Sequence, residues 1–82
     1  MMGRQLYFIK IPGRKGIYNI IVAAFSEVNA KAIAEEYFEN EVTEIRLCTL
    51  KDVSEIEDKR IMHASYMMTP LDMEKAKRYG VK

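Results

Sequence analysis

The chain has a single cysteine, a single histidine, no long apolar run and almost no excess of either charge sign. Each shortage excludes something. A lone Cys48 makes no intramolecular disulfide, whereas small secreted scaffolds carry several, so the reducing cytoplasm is the predicted compartment. One Cys and one His fall short of a zinc site, which takes four such ligands at short spacings. A carboxylate-bound ion has no signature loop here. Neither a metal nor a cofactor is expected. No stretch of about 18 apolar residues exists, so no transmembrane helix is expected. The opening Met1-Met2-Gly3-Arg4-Gln5 runs straight into Leu6-Tyr7-Phe8-Ile9-Lys10, too short a run for a signal-peptide core and followed by no small-residue cleavage site. Lys+Arg number 13 against 12 Asp+Glu, a formal charge of +1. Nucleic-acid coats and membrane-surface proteins usually show a stronger basic excess.

What is present fits one small folded domain. The length of 82 residues leaves no room for two cores. Such a domain buries only about 60% of the surface its unfolded chain exposes, so its stability is marginal. Residues 5–11 alternate as a strand: Leu6, Phe8 and Lys10 on one face, Tyr7, Ile9 and Ile11 on the other. Pro12-Gly13-Arg14-Lys15-Gly16 reads as a turn. Tyr18 to Phe25 reads as a second strand, paired antiparallel with the first. Ser26 suits a helix N-cap, and the helix is predicted to run to about Glu39. Ala30, Ile33, Ala34, Tyr37 and Phe38 share its apolar face, and Asn40 is the predicted stop. A third strand is predicted over 42–50, a charged connection over 51–59 with room for a helical turn, and a fourth strand over 60–68. Thr69-Pro70-Leu71-Asp72 predicts a final helix with Thr69 as cap and Pro70 at its first position, ending at Gly80.

The order strand–strand–helix, twice, predicts an α+β fold. It would be a two-layer ββαββα sandwich, with a four-stranded, mainly antiparallel sheet and two helices on one face, ferredoxin-like or permuted. Two helices cover only one face. If Tyr7, Ile9, Ile20, Val22, Met62 and Tyr66 meet them, the other face carries Leu6, Phe8, Ile21, Phe25, Ile61 and Met67. That face is more apolar than a solvated face requires, so a protein partner, first of all a second copy forming a homodimer, is expected to cover it.

Four other constellations have chemistry in reach. Glu35, Glu36, Glu39 and Glu41 form an acidic cluster at the end of the first helix, able to meet a basic site on another protein. Arg14 and Lys15 in the turn, with Lys75, Lys77 and Arg78 at the end of the last helix, offer a weaker nucleic-acid footprint. Tyr7, Phe8 and Tyr18 could stack on bases, although no RNP1 pattern is present and such aromatics more often serve cores or cross-strand pairs. Cys48 and His63 suggest nucleophile and base but lack a third orienting group. The six methionines suit an adaptable interface or simply fill the core.

Val22-Ala23-Ala24-Phe25-Ser26-Glu27, the helical Ala30 and Ala34, Val42-Thr43-Glu44-Ile45 and Ala64-Ser65-Tyr66 together resemble short accessory proteins of bacteriophages and mobile elements, over roughly residues 18–68. The group has no defined catalytic residues to carry over. The resemblance implies an accessory protein acting in the host bacterial cytoplasm, some such proteins being inhibitors of host defence. The leading expectation is therefore a non-enzymatic protein that binds and occludes a protein partner. The alternative is a small nucleic-acid-binding regulator; membrane binding is not expected.

Overall fold

The structure, a computed structural model, describes residues 3–82; Met1 and Met2, where the signal-peptide reading begins, lie outside the described residues. The element order is β1 (Gln5–Gly13), β2 (Gly16–Ala24), α1 (Glu27–Phe38), β3 (Glu44–Leu47), α2 (Leu50–Glu55), β4 (Arg60–Met62), β5 (Met68–Pro70) and α3 (Met73–Arg78). The strands form one sheet in the order β3-β1-β2-β4-β5. Three pairings are antiparallel, and β2 with β4 is parallel, Ile21 lying beside Ile61 and Val22 beside Met62. The α+β class and the mainly antiparallel sheet are as the periodicity predicts. Among the described residues the strands are five rather than four, and the helices three rather than two.

The hairpin forms where alternation and glycine place it, with Gly13 opposite Gly16 and only Arg14-Lys15 between them. Gly16 has a φ of 124°, a conformation a side chain would strain. Ser26 caps α1, its Oγ accepting from the Asn29 N–H at 3.0 Å. The helix ends at Glu39 in the left-handed region, one residue before the predicted stop. Asn40 instead donates its side-chain amide to the Pro12 carbonyl at 3.2 Å, tying the helix end to the hairpin.

Three boundaries differ, each for a local reason. The predicted 42–50 strand shortens to Glu44–Leu47 because Thr49 starts a helix. The Thr49 hydroxyl accepts from the Asp52 N–H, and the Asp52 carboxylate accepts from the Thr49 N–H at 2.8 Å, a reciprocal capping box. The predicted 60–68 strand breaks at a loop over 63–67 and returns as β5. There Ser65 and Tyr66 adopt φ of 51° and 63°. The last helix starts three residues late. Thr69 and Pro70 belong to β5, and Asp72 is the cap, accepting from the Lys75 N–H at 2.8 Å. Pro70 is tolerated in β5 because this is an edge strand.

The sheet separates two cores. Ala30, Ile33 and Ala34 of α1 pack on Tyr7, Ile9, Ile11, Val22, Ala24 and Met62. On the opposite face Leu6, Phe8, Ile21, Ala23 and Ile61 pack under α2, α3 and the chain end, meeting Val53, Ile56, Ala76 and Val81. This corrects the expectation of an uncovered face. Leu6, Phe8, Ile21 and Ile61 are buried within their own chain and offer nothing to a partner. The observation that asked for a second copy of the chain is thereby removed.

Candidate interaction surface

Once both cores are filled, a row of aromatic side chains is left over on the α1 side of the molecule. Tyr18 of β2 lies 5.6 Å from Phe38, Phe38 lies 5.0 Å from Tyr37, and Tyr37 lies 5.3 Å from Tyr66 of the β4–β5 loop, centroid to centroid. Three separate elements thus supply one continuous strip. Tyr18, Tyr37 and Tyr66 are 37%, 45% and 38% exposed, too wet for core residues and too apolar to be indifferent to solvent. Phe38 is half-buried and anchors the strip to the core of α1.

Each member is held. The ring of Tyr18 lies over Gly13, where an added Cβ would fall 1.8 Å from Cε2 of the ring. Tyr37 and Phe38 occupy the last turn of α1. Tyr66 is placed by the two left-handed residues of its loop, closed by the Tyr66 N–H donating to the His63 carbonyl at 3.0 Å and the His63 N–H to the Met67 carbonyl at 2.8 Å. Left-handed backbone costs a non-glycine residue roughly 1–2 kcal/mol, and such strain concentrates at functional sites. Met67, beside this loop, is 57% exposed.

The acidic residues picked out from sequence divide among different tasks. Glu35 is half-buried, and its Oε2 accepts from the Val42 N–H at 2.9 Å, closing the turn into β3. Glu36 is exposed, and its carboxylate beside the Tyr66 hydroxyl pushes the phenol pKa above its ordinary value. Glu39 is the left-handed cap, and Glu41 lies just beyond, exposed. Of the six residues expected on a sheet-face interface, only Phe25 and Met67 are exposed, Phe25 lying under the Arg4 guanidinium at 5.4 Å.

The basic residues do not meet. Arg14 and Lys15 sit at the hairpin tip. Lys75, Lys77 and Arg78 belong to α3, and Arg78 shares a shallow cavity of about 380 Å3 with Arg4 and Gln5, at the start of β1. The nine residues of β1 separate the two groups by roughly 25–30 Å at about 3.3 Å per residue. Tyr7 and Phe8 are buried on opposite faces of the sheet, so they present no stacking platform with Tyr18.

Cys48 and His63 do not meet either. The Cys48 N–H donates to the Leu6 carbonyl, and extending the β2–β4 register by one residue sets His63 beside Ala23. Three strand spacings of about 4.8 Å lie between the two residues. Burial pushes the Cys48 thiol up to about 12, with the Asp52 charge adding to the rise, so the sulfur stays protonated at neutral pH. Arg46 holds Asp52 in a bidentate ion pair, one contact at 2.8 Å, and lies over the Phe8 ring at 4.4 Å. The guanidinium keeps the Asp52 carboxyl below the usual carboxylate range. This pair fixes β3 against α2 and its charges neutralise each other.

Among the described residues no group of three or more His, Cys, Asp or Glu is placed to hold a metal ion, and no helix is long and apolar enough to cross a membrane. No protein-family model, curated protein or solved structure matches the chain.

The sequence signal for the aromatic strip was present but weak. Tyr37 and Phe38 adjoin on a helix whose buried face needs only Ala30, Ile33 and Ala34. Tyr66 gave no warning, since Arg60 to Met68 alternates as an unbroken strand would.

Proposed function

We propose that this chain is a non-enzymatic binding module that covers a surface of a protein partner with the strip Tyr18–Phe38–Tyr37–Tyr66. The single observation that carries this reading is the strip itself: four aromatic rings in sequence from three elements, three of them exposed outside two complete cores. Rigid tyrosines supply large contact area at low entropy cost and dominate binding energy where they cluster. The mode of action is occlusion. The resemblance to phage accessory proteins points to a host-defence enzyme as the kind of target to try first.

The test is retention of a partner by the tagged full chain in lysate of the native host, compared across variants. A species held by the wild type and by Arg14→Ala/Lys15→Ala is expected to be lost with Tyr37→Ala/Tyr66→Ala. Each truncation is expected to cost about 2 kcal/mol, roughly thirty-fold in affinity. Equal retention by all three forms overturns the reading.

The cavity between Arg4 and Arg78 favours a second reading, nucleic-acid binding at the α3 end, since its charged lining residues are both cations. Binding of generic duplex that weakens steeply with salt, and is lost with Arg4→Ala/Arg78→Ala but not with Arg14→Ala/Lys15→Ala, would support it over the first.

A further inference from the structure

We propose that the cavity between α1 and the β4–β5 loop receives a cationic side chain, lysine or arginine, of the partner. This deepens the reading of the aromatic strip as a docking surface and rests on it. The cavity is about 220 Å3 and is lined by Ile33, Glu36, Ala64, Ser65 and Tyr66. A water molecule takes about 30 Å3, so an ammonium or guanidinium group fits with water to spare.

The chemistry of the lining selects the sign of the guest. Among the described residues Glu36 is the only charged one lining it, and it makes no ion pair with any of them. The Arg60 guanidinium, on neighbouring β4, is already held by Asp58 at 2.7 and 2.6 Å. Tyr66, which lines the cavity with Glu36, has its ring 5.3 Å from that of Tyr37, and aromatic π faces attract cations. On α1 the charges have the same sign, Glu27, Glu35 and Glu36 against Lys31 alone, with Glu39 as its cap, while the Arg4 and Lys75 charges lie toward His63 at the start of the loop. A neutral apolar guest would desolvate Glu36 without compensation, and an anion would be repelled. The strained Ser65 and Tyr66 backbone holds the far wall open in advance of binding.

The experiment titrates the full chain with octa-arginine, octa-glutamine and octa-glutamate peptides at low ionic strength, followed by NMR at the Ile33 methyls and the Tyr66 ring. Octa-arginine is expected to shift both signals, and the two control peptides neither. Glu36→Gln, an exposed isosteric change that leaves the fold intact, is expected to weaken octa-arginine binding about tenfold, while Tyr66→Phe, which keeps the ring and the carboxylate, retains it. Equal binding of octa-glutamine, unchanged affinity in Glu36→Gln, or octa-arginine shifts that bypass Ile33 and Tyr66 each overturn the proposal. Partner retention separates the two levels. Retention lost with Tyr37→Ala/Tyr66→Ala but unaffected by Glu36→Gln overturns the cation and leaves the docking surface standing. Retention unaffected by either overturns the docking surface itself.

Discussion

His63 lies half-buried at the end of β4, its Nε2 2.9 Å from the Thr69 hydroxyl. Burial, with the nearby Arg4 and Lys75 charges, lowers its pKa from the ordinary value. In the unfolded chain the ring takes up a proton near pH 6.5, while in the folded chain it does so only at lower pH. Between those points the unfolded state binds more protons, so stability is full above the unfolded pKa and erodes as pH falls through this window. Urea midpoints at about pH 7.5 and about pH 5.5 are expected to drop more for the wild type than for His63→Gln. Parallel drops would show that the neutral ring is not the cause. Ser65 makes a second case. With φ at 51°, replacement by Gly removes the left-handed cost and is expected to raise stability by about 0.5–1 kcal/mol, read as a higher thermal midpoint. A lower midpoint would mean that the Ser65 side chain contributes more than the strain costs.

At the scale of elements, α2 shows how a six-residue helix survives far below the length at which helices are stable alone. Asp52 closes the capping box, pairs with Arg46 and sits in the second core, all with one carboxylate. Asp52→Ala is expected to cost about 2–3 kcal/mol, because the carboxylate half of the capping box is lost and Arg46 loses its buried partner. Chemical denaturation measures it, and a loss under about 0.5 kcal/mol, the scale of an ordinary surface substitution, would mean that α2 is held by packing alone. The hairpin and α1 were legible in the sequence because alternation, paired glycines and the Ser26 cap all agree. The Thr49–Asp52 box was equally readable, yet the charged run that follows hid it. The β4–β5 loop was not legible. Its turn uses Ala64, Ser65 and Tyr66, none of the residues that ordinarily announce positive φ, so the break left the period of two intact. The aromatic strip was hidden for a related reason, since Tyr66 reaches Tyr37 only through that loop.

For the whole molecule the decisive fact is that both faces of the sheet are used. Ile61 is fully buried between sheet and helices. Ile61→Ala is expected to cost about 2–5 kcal/mol and to unfold much of a domain this small near body temperature. Tyr37→Ala should change stability by about 1 kcal/mol or less and be felt only in binding. Circular-dichroism melts of the two variants separate these outcomes, and similar melting losses would place Tyr37 in the core.

The parallel pairing of Ile21 with Ile61 and Val22 with Met62 also sets an order of events. The hairpin closes over two residues, and α1 follows it locally, so both form early on the folding path. The β2–β4 pairing must wait for a far longer loop to close, and only then can the Tyr66 loop swing against α1 and the chain end settle, where the Leu50 N–H donates to the Lys82 carbonyl. Tyr18, Tyr37 and Phe38 arrive in the first stage, Tyr66 and the wall of its cavity in the last. The aromatic strip is thus completed only when the last long-range pairing forms, and a chain halfway folded carries Tyr18, Tyr37 and Phe38 without the Tyr66 ring that ends the row.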